Sequence, residues 1–172
     1  MIDYVIQAPK GYTNKIGELV SMLEYTRAVT LEEVAELSQN DLDYLDSENS
    51  NTIAALLSHI AAIEKVHQVI SFENRDFNQE ELVQWDSALA LGEEARRDIK
   101  GNSLDYYLKQ LAEVRKETLT QLKTKDDAWL YEQKTWPNGV AHNNYYLWFH
   151  VMEDEISHRG QIKVIKRGLS KS

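Results

Sequence analysis

The chain has 172 residues, no cysteine, a formal net charge of -9 at pH 7 and a pI near 5.0. Without cysteine it can form neither a disulfide nor a Cys-ligated zinc site, so any metal must be held by His, Asp or Glu. An acidic chain without a Lys/Arg cluster is a poor match for nucleic acid. The N-terminus lacks a basic region followed by an apolar run, and no continuous apolar stretch reaches roughly 20 residues. We therefore expect one cytoplasmic domain over residues 1–172, without a membrane segment.

The first half of the chain has apolar residues spaced by three and four, which predicts helices. The first helix is predicted from about Thr13 to Ala28. Thr30 followed by Glu33 matches a capping box, which would open a short helical turn before the polar loop of residues 38–51. A second long helix is predicted from about Asn51 to Asn74, followed by a connection with a short helix that ends near Gly92.

The second half continues in the same pattern. Ser103 is predicted to open a third long helix, "LDYYLKQLAEVRKETLTQL", and residues 123–138 are predicted to form a loop that "WPNG" closes as a turn. The fourth helix is predicted from about Asn143 to Arg167, ending at Gly168. Four long helices without a strand signal indicate an all-α four-helix bundle, in which the long connection between helices two and three crosses over.

The fourth helix carries two polar residues where core residues are expected. On a helical wheel, Asp154 and His158 lie in the same arc as the apolar residues Leu147, Val151 and Ile162, within about 80° of one another. A buried ionised Asp is costly without a partner, so it must be paired, protonated or bound to a cation. Its spacing from His158 suits two ligands of one metal, but it equally suits a hydrogen-bonded core pair.

The second helix also places histidines inside its apolar arc. His59 and His67 both lie within it, and Glu64 lies near its edge. Inward histidine on one helix together with inward Asp and His on another favours a metal site over an isolated core hydrogen bond. Three N/O ligands would leave an open coordination position, as in catalytic rather than closed structural sites.

Two segments, "LLSHIAAIEK" and "HVMEDEISHRGQI", carry a resemblance to a known family. Their sequences, order and spacing resemble the DinB/YfiT-like family of four-helix-bundle metalloenzymes, over nearly the whole chain. The resemblance implies an up-down-down-up bundle with a divalent metal held by His59, by Asp154 where the family usually has His, and by His158. His150, Arg159 and the residues Gly160 and Gln161 match the rest of the last-helix motif, whereas Ser157 departs from it.

Further residues are candidates for the surroundings of the metal or the wall of a pocket. They are His67, His150, Glu155, Arg159, Gln161, Trp129 and Trp136. For His67 and His150 a supporting polar role is favoured over ligation. The tryptophans can equally close the core or wall a small-molecule pocket. No residue is assigned as the catalytic acid or base.

The resemblance also implies a function. It implies a metal-dependent transferase or isomerase that uses a low-molecular-weight thiol, such as bacillithiol or mycothiol, with a small-molecule substrate. Two His and one carboxylate suit Zn, Ni or Mn. A hydrolase with the same open site is the nearest variant. The alternative is a non-catalytic bundle that has a structural Asp/His pair and acts as a dimeric binding module.

Family members are often homodimers, and Met152 and Ile156 are predicted to form an exposed interface.

Overall fold

The computed structural model describes residues 2–169 and consists mainly of helices. Four long helices form the bundle: α1 (Asn14–Val34), α3 (Ile53–Gln68, continued by a π-helical turn, Val69–Glu73), α6 (Leu104–Leu122) and α8 (Asn144–Leu169). The connections hold four shorter helices: α2 (Gln39–Leu42), α4 (Gln79–Ala90), α5 (Gly92–Asp98) and α7 (Asp127–Leu130). Strands β1 (Gln133–Thr135) and β2 (Ala141–Asn143) form an antiparallel hairpin. The predicted all-α four-helix bundle is confirmed.

Contacts between the long helices define their directions. Helices α1 and α8 run parallel, because Arg159 donates to the carbonyl of Thr26 and Lys166 pairs with Glu33, seven residues further along both helices. Helix α3 runs against α8, because His59 lies beside His158 whereas His67 lies beside His150. Helices α3 and α6 run parallel, with Glu64 bonded to Arg115 and Gln68 to Thr118. The topology is therefore up-down-down-up.

The predicted end of the first helix and the capping box after it were wrong. Helix α1 continues to Val34, and Thr30 is a buried residue within it whose hydroxyl donates to the carbonyl of Thr26. The helix continues because both Thr30 and Val34 are fully buried and are stabilised by packing. The capping box lies instead at Ser38 and Asp41, which open α2 inside the segment predicted as a loop.

The crossover of residues 74–103 contains two helices where one was predicted. Asn78 and Glu81 form a capping box at the start of α4, and Trp85 and Ala88 bury that helix against α3. The segment of residues 123–138, predicted as a loop, holds α7 and β1. Its predicted turn is confirmed, because the amide of Gly139 donates to the carbonyl of Trp136 and Gly139 has φ +84°.

The apolar spacing of the long helices predicts a shared core of nine aliphatic residues, and all nine are at most 7% exposed: Ile53, Leu57, Ile60, Leu111, Val114, Leu147, Val151, Ile162 and Ile165. They do not form one cluster. Seven lie in a first cluster: Ile53, Leu57, Ile60, Leu111, Val114, Ile162 and Ile165. Val151 instead belongs to a second cluster with Leu23, Trp148 and Trp129.

A charged layer lies between the two clusters and links all four long helices. Arg27 of α1 donates to Glu155 of α8 at 2.9 Å and to Glu64 of α3 at 2.9 Å. Arg115 of α6 donates to Glu64 at 2.7 Å, and the hydroxyl of Thr118 donates to the same carboxylate at 2.6 Å. Two guanidinium groups and two carboxylates balance in charge, and their hydrogen bonds offset the cost of burying them. We call Arg27, Glu64, Arg115 and Glu155 the charged layer.

The outer face of α8 differs from the predicted dimer surface. Met152 is half-buried and packs against the second cluster, so it is not the exposed residue that was predicted. Ile156 is 44% exposed. Homodimer formation stays a prediction.

Within residues 2–169, one helical segment is long and apolar enough to span a membrane, judged by length and composition only. It comprises Ile53–Glu73, with a mean hydropathy of 1.3, and 78% of its window is buried within the protein. Its position as the central helix of the bundle accounts for this composition.

Removal of one carboxylate from the charged layer tests its contribution to stability. Glu64→Ala leaves Arg115 and Arg27 buried without their shared partner, and we expect the free energy of unfolding to fall by about 3–5 kcal/mol. The matched control is Glu24→Ala, which removes a half-exposed partner of the same Arg115 and should cost less than about 1 kcal/mol. Urea unfolding measures both values. Equal losses would contradict a dominant role for the buried layer.

The charged layer also predicts a pH dependence. Burial raises the pKa of Glu64, but the charges of Arg115 and Arg27 outweigh it and lower the pKa from 4.5 to about 2. A carboxylate with a depressed pKa stabilises the fold fully above pH 4.5 and loses that contribution as the pH falls towards 2. The difference in unfolding free energy between the natural chain and Glu64→Gln should therefore shrink over that range. A constant difference from pH 5 to pH 2 would contradict this assignment.

Candidate metal centre

The structure brings His59, Asp154 and His158 together where α3 packs against α8. One ligand atom from each side chain lies within 4.8 Å of the other two. Nε2 of His59 lies 3.6 Å from Oδ1 of Asp154, and Nε2 of His158 lies 3.3 Å from the same oxygen. The three side chains are 8 to 13% exposed, so the cluster is largely shielded from solvent but not sealed off from it.

His59 is oriented by the crossover between the second and third long helices. Its Nδ1–H donates to the carbonyl of Ala88 at 2.8 Å, within the last turn of α4. Carbonyls in the last turn of a helix lack intrahelical partners, so this one is available to accept the bond. A carbonyl accepts only, so the proton is fixed on Nδ1 and Nε2 faces Asp154. A metal-binding histidine typically makes such a bond through its other nitrogen.

Asp154 and His158 are one turn apart on α8 and face the same groove. Burial raises the pKa of Asp154, but the neighbouring His158 and His59 outweigh it and hold that pKa below its usual 3.8. The carboxyl is therefore ionised at neutral pH. Within residues 2–169, neither Oδ2 of Asp154 nor Nδ1 of His158 has a hydrogen-bond partner, although both atoms are buried.

These features fit a divalent cation better than a closed hydrogen-bonded pair. Ligand atoms about 2.1 Å from a tetrahedral zinc ion lie about 3.4 Å apart, close to the two distances to Asp154. A buried carboxylate oxygen without a donor is costly, and a cation compensates it directly. The donor set of two imidazoles and one carboxylate suits Zn, Ni or Mn.

Two further histidines, His67 on α3 and His150 on α8, lie closer to the start of α8 than the cluster does. His67 is buried, its Nδ1–H donates to the carbonyl of Ile63 at 2.7 Å, and its ring centre lies 5.4 Å from that of His150. Burial lowers the pKa of His67 to about 4, so the ring is neutral at pH 7. His150 is half-exposed and lies 3.4 Å from the carboxylate of Glu153. Neither histidine belongs to the three-residue cluster.

Three candidates for the surroundings of the metal lie elsewhere. Glu155, next to Asp154 in sequence, points into the bundle as part of the charged layer, because successive residues on a helix are about 100° apart. Arg159 donates to the carbonyl of Thr26 on α1. Trp129 stacks on Phe72, with ring centres 5.4 Å apart, in the second cluster. Roles for these three residues around the metal or in a pocket stay predictions.

The two remaining candidates, Trp136 and Gln161, line clefts to which the cluster residues do not contribute. Trp136 lies in the turn of the hairpin and lines a cleft of about 480 Å³. Gln161 is exposed and lines a cleft of about 450 Å³ with Ser157 and Asn51. Sequence reasoning missed the Ala88 carbonyl because a backbone group leaves no sequence signal. It also missed His142 in the hairpin, which lies outside any helical pattern.

Solved structures share this architecture at low identity. A conserved protein from Enterococcus faecalis is 16% identical, with a TM-score of 0.67 over 87% of this chain and 93% of its own. An uncharacterised protein from Clostridium difficile 630 is 14% identical, with a TM-score of 0.67 over 88% and 95%. A protein from Streptococcus pneumoniae is 15% identical, with a TM-score of 0.68 over 97% and 94%. At these identities the similarity establishes the fold alone.

The family comparison covers most of the chain. No curated protein matched. A family model described as mycothiol-S-transferase matches residues 18–169. The matched range includes most of α1, all of α3, α6 and α8, and the three residues of the cluster. The resemblance to DinB/YfiT-like bundles is thereby confirmed. The chain belongs to the mycothiol-S-transferase family.

Proposed function

We propose that the protein is a metal-dependent S-transferase that joins a low-molecular-weight thiol to a small electrophile. The observation that carries this proposal is the convergence of His59, Asp154 and His158, with unpartnered Asp154 Oδ2, in a chain of the mycothiol-S-transferase family. The chain has no cysteine, so the reacting sulfur must come from a second molecule. Three protein ligands leave a position open for it.

Each residue of the cluster has a distinct role in this proposal. When bound, a divalent cation would lower the pKa of a thiol, or of water, in the open position. His59 is held in one tautomer by Ala88 and presents Nε2 to the groove. Asp154 supplies the negative charge, and His158 completes the set from the next turn of α8.

The transfer needs only two substrates. The thiol sulfur forms a bond to an electrophilic carbon, the leaving group departs with the electrons of its own bond, and the thiol proton passes to water. No redox partner is required. Hydrolysis at the same position is the second candidate, because a site open to a thiol is open to water as well.

Substitution of Asp154 distinguishes the metal site from a structural pair. Asp154→Ala should weaken binding of Zn or Ni by more than the roughly 10- to 100-fold that loss of a supporting hydrogen bond costs. Asp154→His supplies a third imidazole and should keep or raise that affinity. Metal content by mass spectrometry and melting temperature are measured on the same samples.

The matched control is Glu153→Ala, which removes the neighbouring exposed carboxylate and should leave metal content unchanged. If Asp154 and His158 form only a core pair, Asp154→His should lower the melting temperature without any gain in metal. Unchanged metal content in Asp154→Ala would remove this residue from the site.

Activity is tested with purified zinc-, nickel- or manganese-loaded protein, mycothiol and an aryl halide as electrophile. We expect thiol-dependent release of halide, lost in Asp154→Ala and kept in Glu153→Ala. Turnover of ester substrates without any thiol would favour the hydrolase. A metal-loaded protein that accelerates neither reaction would support the non-catalytic alternative.

A further inference from the structure

Two histidines outside the cluster face each other across the groove between α3 and α8. The ring centres of His67 and His150 are 5.4 Å apart, and those of His59 and His158 in the cluster are 4.5 Å apart. The five histidines of the chain therefore include two pairs that join these helices, and His142 of the hairpin belongs to neither. The function proposed above uses only one of the two pairs.

The distance between His67 and His150 fits two imidazoles that share one ion. A ligating nitrogen lies about 2.1 Å from a zinc ion, and the centre of its ring lies about 1.1 Å further away. At a tetrahedral angle, two ring centres about 3.2 Å from the same ion are about 5.2 Å apart, close to the observed 5.4 Å. Aromatic packing alone also permits this distance, so the state of the ring nitrogens decides between the two interpretations.

His67 has a ring nitrogen without a partner. Its Nδ1–H donates to the carbonyl of Ile63 at 2.7 Å. Because a carbonyl only accepts, the proton is fixed on Nδ1, and Nε2 keeps its lone pair. Metal-binding histidines typically make such a bond through the other nitrogen, as His59 does with the carbonyl of Ala88. Within residues 2–169, Nε2 of His67 makes no hydrogen bond, so its lone pair is available to a cation.

His150 forms the more exposed side of the pair. Its side chain is 37% exposed, and Nδ1 lies 3.4 Å from the carboxylate of Glu153, which is 58% exposed. An exposed carboxylate at this distance holds the ring only weakly, so Glu153 is not counted as a ligand. The ring of Tyr146 is nearly parallel to that of His150, with centres 6.1 Å apart. Within residues 2–169, Nε2 of His150 makes no hydrogen bond, so both rings of the pair offer a nitrogen atom.

The pair lies next to the cluster along the same groove. His150 precedes Asp154 by one helical turn, about 6 Å, and His67 follows His59 by eight residues, about 12 Å. Since α3 and α8 run in opposite directions, Asp154 lies between the two pairs of histidines. Its Oδ2 is buried and has no hydrogen-bond partner within residues 2–169. A carboxylate oxygen in this state attracts a cation held about one turn away.

We propose that His67 and His150 form a second metal-binding position, which captures a divalent cation such as Zn or Ni from solvent and passes it to the cluster. This inference rests on the metal site of the proposed function, which is the destination of the ion. The net charge of -9 favours the approach of cations. Two neutral imidazoles completed by water hold an ion less tightly than two imidazoles and a carboxylate, so transfer to the cluster is favourable.

Calorimetric titration of tag-free, chelator-treated protein with nickel sulfate tests the second position by itself. We expect the natural chain to bind two ions, one tightly and one weakly. His158→Ala should weaken the tight event and keep the weak one. In either background, His150→Phe keeps a ring beside Tyr146 and should weaken the weak event by at least the roughly tenfold that loss of a supporting hydrogen bond costs. The matched control is His142→Ala, which removes a histidine outside both pairs and should leave both events unchanged.

Stopped-flow mixing with cobalt chloride tests the transfer. Visible absorption reports the arrival of cobalt in the cluster, and His158→Ala identifies which absorption belongs to it. We expect His150→Phe to slow this arrival while the final absorption stays the same, because the destination is intact. His142→Ala should load at the rate of the natural chain. His67→Phe repeats the test from the other helix, and circular dichroism verifies that each variant is folded.

The outcomes separate this inference from the proposed function. If the natural chain binds one ion only, or if His150→Phe leaves the weak event unchanged, the second position is wrong although the cluster binds metal. If His150→Phe removes the weak event without slowing the loading of the cluster, the transfer is wrong. If the tight event is absent from the natural chain or unchanged in His158→Ala, the proposed metal site fails, and the weak event still tests the pair of His67 and His150.

Discussion

Arg27, Glu64, Arg115 and Glu155 come from four different helices and meet in a layer that separates the two apolar clusters. Apolar packing is tolerant of small shifts between helices, whereas ion pairs near 2.8 Å are not. The layer therefore fixes the position of each long helix along the bundle axis relative to the others. His59 lies five residues before Glu64 on α3, and Asp154 lies one residue before Glu155 on α8. The same ion pairs therefore set the axial alignment of α3 and α8 that brings the cluster residues together.

The charged layer and the cluster share helices but differ in charge balance. In the layer, two guanidinium groups compensate two carboxylates, and Arg27 and Arg115 direct their donors to those carboxylates and to backbone carbonyls. Asp154 lies on the other side of α8 and receives no guanidinium. Within the described part of the chain, the side chains at ion-pair distance from Asp154 are those of His59, at 3.6 Å, and His158, at 3.3 Å. A negative charge shielded in this way is stabilised by a cation, and this difference separates the candidate site from a structural ion pair.

The sequence predicted most of the bundle because the apolar spacing in the long helices is regular. Polar side chains interrupt that spacing at His59, His67, Asp154 and His158, and the family resemblance selected His59 rather than His67 as the third residue of the cluster. The charged layer produces the same interruptions: Arg27, Glu64, Arg115 and Glu155 each follow a buried aliphatic residue by four positions, namely Leu23, Ile60, Leu111 and Val151. A long Arg or Glu side chain at such a position fits the edge of the apolar face of the helix as well as its centre, because from the edge it can reach solvent. Whether the side chain is buried or faces solvent depends on its partner on another helix, and a single sequence does not show that partner.

The hairpin and the crossover were less predictable for a related reason. Three-residue strands carry too few residues for a period of two to be detected, and α4 contributes a backbone carbonyl rather than a side chain. The crossover nevertheless contributes to the site, because the Ala88 carbonyl of α4 orients His59.

The carboxylate at position 154 fits the site electrostatically. A divalent cation with three neutral imidazoles and a thiolate would carry a net charge of +1, whereas replacement of one imidazole by Asp154 brings the sum to zero. In a groove where the three side chains are 8 to 13% exposed, the neutral combination costs less to shield from water.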